Sequence, residues 1–106
     1  MKRVAKDDIL NYFVKEIRER LGGRLKRVVL FGSRARGDET AESDYDCLVV
    51  VDEASNELKD IIDEVAGDTL YRYGAIFSAF PVSEGKLELQ KYNPFIINIG
   101  REGVVL

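Results

Sequence analysis

A chain of 106 residues, 45% of them hydrophobic, is long enough for one domain with its own core. Its formal net charge of −3 argues against broad nucleic-acid binding, which needs a positively charged surface. The chain contains no histidine, which excludes histidine-based acid–base catalysis, Ser-His-Asp triads and histidine-ligated zinc, and its single cysteine, Cys47, excludes an internal disulfide.

No segment of the sequence suggests a membrane protein. No window approaches the roughly 18 apolar residues that a membrane span requires, and the N-terminal residues lack the apolar core of a signal peptide. We therefore expect a cytoplasmic protein that forms a single domain over residues 1–106.

The first predicted elements are an amphipathic helix and a buried strand. Apolar side chains recur at helical spacing over residues 7–21, and Gly22 and Gly23 are typical of a helix end. The run 28–31 is short, apolar and rich in β-branched and aromatic residues, which predicts a strand.

The next segment predicts a turn, a short helix and a second strand. Gly32 lets a backbone approach a ligand closely, Ser33 can cap a helix over 33–36, and Gly37 suits the C-terminal cap of that helix. The apolar run 48–51 is typical of another buried strand.

The second half of the chain predicts a long helix followed by a third strand. Ser55 can cap a helix that continues to about Arg72. The apolar run 75–82 predicts the third strand, and Pro81 near its end favours an edge position in a sheet.

Two further helices are predicted near the C-terminus. Residues 83–92 have helical character, and Pro94 after Asn93 fits the first position of a final helix that Gly103 ends. The elements together predict an α/β (α+β) protein.

Two aspartates just before the second apolar run are the main candidates for chemistry. In an extended chain Asp44 and Asp46 project to one face, whereas Tyr45 and Cys47 project to the other and are interpreted as core residues. Two carboxylates this close repel each other, and a divalent cation relieves the repulsion. Oxygen ligands favour Mg²⁺, which proteins usually hold with one or two carboxylates together with waters and substrate phosphates. We therefore predict a site for Mg²⁺ or Mn²⁺ at Asp44 and Asp46.

The turn at Gly32 and Ser33 is a candidate phosphate-binding segment. The free backbone N–H groups at a helix start can bind an anion. Arg34 and Arg36 lie in the same turn, and Arg36 is the preferred phosphate contact, whereas Arg34 is interpreted as a surface charge. Three further basic residues lie just upstream, Arg24, Lys26 and Arg27. The sequence therefore predicts a positive cluster beside a triphosphate site.

These residues together resemble the minimal nucleotidyltransferase domains of the DNA polymerase beta-like superfamily. The hallmark of that family is a hydrophobic residue followed by Gly-Ser, a spacer, and then Asp-hydrophobic-Asp. Here the two halves read Phe31-Gly32-Ser33 and Ser43-Asp44-Tyr45-Asp46. Residues 34–37, 93–95 and 101–106 are also similar to the family, so the resemblance spans nearly the whole chain.

The resemblance implies the nucleotidyltransferase fold, a small mixed β-sheet with helices packed against it. It also implies a reaction, the metal-dependent transfer of a nucleotide monophosphate, AMP foremost, from a nucleoside triphosphate such as ATP to a hydroxyl of a protein or small acceptor. The implied catalytic metal ligands are Asp44 and Asp46. The implied nucleotide-binding residues are Gly32, Ser33, Arg36 and Ser43.

Family members of this size are commonly encoded with a helical HEPN-type ribonuclease toxin. The resemblance therefore implies an antitoxin role towards such a partner. Assembly of several copies of the chain into a homo-oligomer is a further alternative that the sequence leaves undecided.

One feature of the family is missing from the third predicted strand. Family enzymes normally add a third carboxylate from a later strand, but residues 75–82 contain no Asp or Glu and place Ser78 in the middle. A neutral hydroxyl cannot replace that charge, and Glu84, just after the strand, is the remaining candidate. The alternative function is therefore a catalytically degenerate module that binds nucleotide or a partner and acts by occlusion.

Overall fold

The computed structural model describes residues 7–38, 40 and 43–106 as a four-stranded sheet with helices on both faces. The helices are α1 (Asp8–Leu21), α2 (Ser33–Arg36), α3 (Asn56–Tyr73), α4 (Glu84–Leu89) and α5 (Pro94–Glu102). The strands are β1 (Leu25–Phe31), β2 (Tyr45–Val51), β3 (Phe77–Ser83) and β4 (Val104–Val105). The predicted α/β class and the small mixed sheet are confirmed.

The strands lie in the order β3-β2-β1-β4. Strand β1 pairs antiparallel with β2 and β4, whereas β3 runs parallel to β2. Strand β3 is an edge strand, as Pro81 predicted, because a proline has no N–H to donate to a second neighbour. In this arrangement the C-terminal end of β1 and the N-terminal ends of β2 and β3 meet at one end of the sheet.

Alternating side chains divide the sheet into two faces. Cys47 and Phe77 face the main core, which α1 and α3 cover. Leu48 belongs to the smaller core on the opposite face, which α4 and α5 cover in part. Because successive side chains of a strand point to opposite faces, Asp46 and Ser78 share this second face.

Helix α3 begins at the side-chain cap that the sequence predicted, Ser55, and α1 begins at a cap that was not predicted, Asp7. The Oδ1 atom of Asp7 accepts a hydrogen bond from the N–H of Leu10 at 2.9 Å, and the Oγ atom of Ser55 accepts one from the N–H of Leu58 at 3.2 Å. Helix α3 continues without a break through Gly67. Within the described part of the chain, no helix combines the length and the apolar character of a membrane span.

Two elements near the C-terminus differ from the prediction. The helix expected over 83–92 extends only over Glu84–Leu89, and a turn follows it. The chain must leave the helical conformation before Pro94, because a residue before a proline, in this case Asn93, is disfavoured in that conformation. The sequence does not predict β4, because its two residues, which pair with Val29 and Leu30 of β1, are too few to show an alternating pattern.

Candidate active site

The predicted site residues meet where β1 ends and β2 begins. Gly32 and Ser33 directly follow β1, Asp44 directly precedes β2, and Asp46 is the second residue of β2. In the antiparallel register Asp46 lies opposite Phe31, the last residue of β1. The fold therefore brings together the two halves of the motif, which the spacer separates in sequence.

Gly32 packs directly against Asp46. It has φ 75° and ψ −159°, a backbone conformation that is essentially restricted to glycine. A Cβ atom at this position would collide with Oδ2 of Asp46. Gly32 is also the N-cap of α2, and Ser33 is the first helical residue, without a side-chain capping bond. The predicted cap at Ser33 is therefore wrong, because the non-helical backbone conformation falls one residue earlier.

Replacing Gly32 with alanine is expected to displace the Asp46 carboxylate and to lower the free energy of unfolding by about 1–3 kcal/mol. Nucleotide transfer should fall much further than stability, because the collision is with a candidate metal ligand. The control is Gly22→Ala, since Gly22 also has a positive φ, 57°, but open space around its Cα atom. Urea denaturation and a transfer assay measure the two effects. Equal losses of activity in Gly32→Ala and Gly22→Ala would show that the contact between Gly32 and Asp46 is not needed for nucleotide transfer.

The two carboxylates have different surroundings. Asp44 is exposed, whereas Asp46 is half-buried. Burial first, and the charge of Asp44 second, raise the pKa of the Asp46 carboxyl, while Arg36 acts in the opposite direction. Burial disfavours the charged form because it removes water, and the neighbouring negative charge adds repulsion.

A divalent cation fits this pair of carboxylates. The donors are oxygens only, and their mutual repulsion is relieved by a positive charge between them. Mg²⁺ commonly takes one or two carboxylates from the protein and the remaining ligands from water and substrate phosphates. Asp44 and Asp46 would be the protein ligands, and the part of the chain that the structure describes has no group of three or more His, Cys, Asp or Glu side chains that could hold a metal ion.

Asp46→Asn is expected to raise the melting temperature of the metal-free protein at neutral pH by about 2–4 °C. Because the pKa of Asp46 is raised in the folded state, the folded protein binds this proton more tightly than the unfolded chain does. The resulting stabilisation is complete below pH 3.8, the ordinary pKa of the group, and is lost as the pH rises through the higher folded-state pKa. The variant and the wild type should therefore differ most at neutral pH and converge in acid.

Thermal unfolding followed by circular dichroism, with a chelator present, measures this difference. Asp60→Asn is the control, because Asp60 is an exposed aspartate of α3. Added Mg²⁺ should then stabilise the wild type but not Asp46→Asn, since a ligand of the folded state raises stability only where it binds. A lower melting temperature for metal-free Asp46→Asn at neutral pH would contradict the electrostatic account.

Ser78 lies beside Asp46 on the neighbouring strand. The two residues are partners in the parallel register and their side chains share one sheet face. The neutral Ser78 hydroxyl adds no charge to the pair of carboxylates. Glu84 does not replace it, because Glu84 begins α4 at the far end of β3 and forms an ion pair with Arg27 at 3.5 Å. The suggestion that Glu84 completes the site is therefore wrong.

Arg36 lies in α2 as an exposed side chain close to Asp46. It forms ion pairs with Asp38 at 3.3 Å and with Glu102 of α5 at 3.6 Å. Its positive charge lowers the pKa of Asp46 against the two effects that raise it. The structure therefore places Arg36 where it can also act on a bound anion.

Arg34 is not the surface charge that the sequence suggested. Its side chain is half-buried, and its Nε–H donates a hydrogen bond to the backbone carbonyl of Ser43 at 3.0 Å. Its Cζ atom lies 3.9 Å from the centre of the Tyr45 ring. No local pattern signals these contacts, because the partners lie nine and eleven residues further along the chain.

Ser43 supports the loop that precedes the carboxylates. Its Oγ atom accepts a hydrogen bond from the backbone N–H of Thr40 at 2.9 Å, and its carbonyl accepts the bond from Arg34. The bond with Thr40 is internal to the spacer, whereas the bond from Arg34 holds the spacer against α2.

The predicted positive cluster is only partly formed. The upstream residues Arg24, Lys26 and Arg27 lie at or near the start of β1, whereas the site lies at its end. A strand of this length spans roughly 20 Å, since each residue adds about 3.3 Å. Arg24 instead lies 3.9 Å from Glu57, so the prediction is wrong for these three residues.

Tyr45 and Cys47 lie on the sheet face opposite Asp46, as predicted. Cys47 is fully buried, and burial first, with the charge of Asp46 second, raises the pKa of its thiol far above the usual value. A thiol in this state is not a nucleophile at neutral pH. The Tyr45 ring stacks on Phe77 with ring centres 4.4 Å apart and planes 3° apart.

The chain matches known nucleotidyltransferases over most of its length. The family model described as "Nucleotidyltransferase domain" matches residues 10–101. The Methanocaldococcus jannaschii protein named "Putative protein adenylyltransferase MJ0604" is 39% identical over 95 residues, which cover 89% of this chain and 90% of that protein. A second protein of that organism, "Putative protein adenylyltransferase MJ1305", is 31% identical over 96 residues, which cover 88% of this chain and 65% of that protein.

Solved structures share the fold. A "putative nucleotidyltransferase from Sulfolobus solfataricus" has a TM-score of 0.60 and 22% identity, with 92% of this chain and 75% of that chain covered. A toxin–antitoxin crystallised with AMP-PNP has a TM-score of 0.59 and 14% identity, with 88% of this chain and 68% of that chain covered. With the motif, the fold and the family match in agreement, the chain belongs to the nucleotidyltransferase domain family.

Proposed function

We propose that this nucleotidyltransferase transfers AMP from ATP to a hydroxyl group of a protein or a small acceptor, with Mg²⁺ or Mn²⁺ held by Asp44 and Asp46. The observation that carries the proposal is the contact between Gly32 and Asp46, which joins the Gly-Ser turn to the carboxylates. The names of the two M. jannaschii relatives support AMP as the transferred group and a protein as the acceptor.

The residues of the turn would bind and orient the triphosphate. Gly32 has no side chain, so a phosphate can approach the backbone closely. The N–H groups of Ser33 and Arg34 begin α2 and have no earlier carbonyl of that helix to bond, which leaves them for an anion. Arg36 adds a positive charge on the same side as Asp46.

The transfer itself breaks the bond between the α-phosphorus and the oxygen bridging to the β-phosphorus, and it forms a bond from the α-phosphorus to the acceptor oxygen. Pyrophosphate leaves, and the acceptor hydroxyl releases its proton to solvent water. A divalent cation between the carboxylates would supply positive charge to the phosphate oxygens during this displacement. Asp44 and Asp46 must therefore both be ionised in the active protein.

A second candidate function is nucleotide binding or partner binding without transfer. The observation that favours it is Ser78, which lies in register beside Asp46 where a carboxylate would complete a group of three. Two carboxylates hold a cation less firmly than three, and a serine hydroxyl does not take a proton from the acceptor. In this case the protein would act on a partner by occlusion.

A protein partner also belongs to the proposal. Two toxin–antitoxin structures share the fold, the complex with AMP-PNP and a mutant of MntA-HpeT, which has a TM-score of 0.58 and 13% identity. They support a toxin as the partner of this chain, and the proposal adds that the chain is cytoplasmic and that the partner is a helical protein of the HEPN type. Transfer of AMP to a hydroxyl of the partner would neutralise it.

Transfer of label from ATP labelled at the α-phosphate tests the proposed function. The protein is incubated with proteins of a lysate of its source organism and with Mg²⁺ or Mn²⁺, beside the double variant Asp44→Ala/Asp46→Ala. A labelled band that is lost in the variant and in the absence of metal is expected, and its mass identifies the acceptor. Metal-dependent ATP binding without any labelled protein or small molecule would favour the binding module instead.

A further inference from the structure

A column of four stacked side chains runs from the main core to the surface beside Asp44. Phe13 of α1 stacks on Phe77 of β3 with ring centres 4.1 Å apart, and Phe77 stacks on Tyr45 with ring centres 4.4 Å apart. The Cζ atom of Arg34 lies 3.9 Å from the centre of the Tyr45 ring, so Phe77 and Arg34 occupy the two faces of that ring. The three rings are buried, whereas Arg34 is half-buried. The column therefore presents a flat cationic group near the surface.

Arg34 is held in this orientation by further contacts. Its Nε–H donates to the carbonyl of Ser43 at 3.0 Å. The ring beneath it is fixed as well, because the Tyr45 hydroxyl donates to Oδ2 of Asp7 at 2.8 Å, and Oδ1 of Asp7 caps α1. A guanidinium fixed both at its face and at its Nε edge loses less side-chain entropy on binding a ligand than a free one does.

Arg34 lines a pocket that adjoins the candidate metal site. The pocket has a volume of 340 Å³ and is bounded by Arg34, Asp44, Ile9, Tyr73 and Ile76, among others. This volume lies within the range of about 300–1,000 Å³ that is usual for small-molecule sites. The lining combines the polar groups of Arg34, Ser43 and Asp44 with apolar or aromatic side chains such as Ile9, Tyr73 and Ile76.

The mixed lining of the pocket favours a planar ring that has apolar faces and polar edges. Asp44 repels a further phosphate group, and the aliphatic side chains of Ile9 and Ile76 offer a polyanion no hydrogen bonds. A nucleobase satisfies both parts of the lining, since its face can stack on a guanidinium and its ring nitrogens accept hydrogen bonds from one. The adjacency to Asp44 places such a base next to the site where the phosphates would lie.

We propose that this pocket binds the base of the nucleoside triphosphate, stacked on the outer face of Arg34. The inference rests on the proposed function, because the triphosphate must lie at the Gly32 turn for the base to reach the pocket. The motif residues bind only the phosphates and the metal ion. The proposal adds Arg34 and the other pocket residues to the nucleotide site as the part that binds the base.

A comparison of ATP with inorganic tripolyphosphate separates binding of the base from binding of the phosphates. Isothermal titration calorimetry in Mg²⁺ is carried out on the wild type, on Arg34→Lys and on Arg72→Lys. The lysine of Arg34→Lys keeps the charge but loses the planar group, so ATP should bind about tenfold more weakly, while binding of tripolyphosphate is unchanged. Arg72→Lys is the matched control, because Arg72 also lies over a tyrosine ring, Tyr12 at 5.1 Å, but outside the pocket lining.

Ile76→Ala provides a second variant that does not depend on Arg34. The side chain of Ile76 is 53% exposed, so its truncation should leave the fold intact and weaken ATP binding by about threefold without changing that of tripolyphosphate. Equal weakening of both ligands in these variants, or no weakening of either, would overturn the base pocket and leave the proposed function standing. Failure of the wild type to bind either ligand would overturn the proposed function itself.

Discussion

Asp44→Asn is expected to lower the rate of nucleotide transfer by about 10²–10³-fold, the loss typical of removing one preorganised electrostatic contact to the reacting group. The amide has nearly the same shape as the carboxylate but carries no negative charge, so the remaining Asp46 would hold a divalent cation poorly. Asp44 is exposed and lies just before β2, so the melting temperature should not fall. The rate is measured with ATP labelled at the α-phosphate and saturating Mg²⁺.

A matched control is available at the other end of the same strand. Asp52 directly follows β2 and is exposed, so Asp52→Asn removes the same charge far from the Gly32 turn and should transfer at the wild-type rate. The pair of variants also separates the two proposed functions. If Asp44→Asn neutralises a HEPN-type partner as well as the wild type does, the partner is inhibited by occlusion and transfer is not the mechanism.

The sequence predicts each half of the site better than it predicts the contacts between the halves. The Gly-Ser turn can be predicted from the local sequence, because only glycine tolerates the backbone conformation of Gly32. The common face of Asp46 and Ser78 follows from the twofold alternation of two strands. The sequence does not predict the contacts of Arg34, because its partners, the Ser43 carbonyl and the Tyr45 ring, lie beyond the spacer and no periodic pattern encodes such a contact.

Extended strands also make neighbours in sequence distant in space. Arg27 lies only five residues before Gly32, yet β1 carries it towards the opposite end of the sheet, where it pairs with Glu84. The same geometry removes Glu84 from the site, because β3 separates it from the Ser78 position. Helical segments keep residues at this spacing within one or two turns, so proximity along the chain predicts proximity in space much better there than in strands.

Ser78→Asp is expected to raise the transfer rate by at least about tenfold, since a positioned general base typically contributes 10²–10⁴-fold. The parallel register places position 78 beside Asp46 and on the same sheet face, so a carboxylate there would complete the group of three that the described residues lack. Ser78 is exposed, which leaves room for the larger side chain. The comparison uses initial rates with labelled ATP over a range of Mg²⁺ concentrations.

Ser78→Asn is the control, because its side chain fills the same space without the charge. It should not reproduce the increase in transfer rate that is expected for Ser78→Asp. Without metal, Ser78→Asp should melt at a lower temperature than the wild type, because a third carboxylate adds to the repulsion between Asp44 and Asp46. Added Mg²⁺ should reverse that loss, since a cation that binds only the folded state stabilises it. Tighter Mg²⁺ binding by Ser78→Asp with an unchanged transfer rate would contradict the catalytic role of this position. It would favour a module in which the aspartates hold a nucleotide and the partner is inhibited by occlusion.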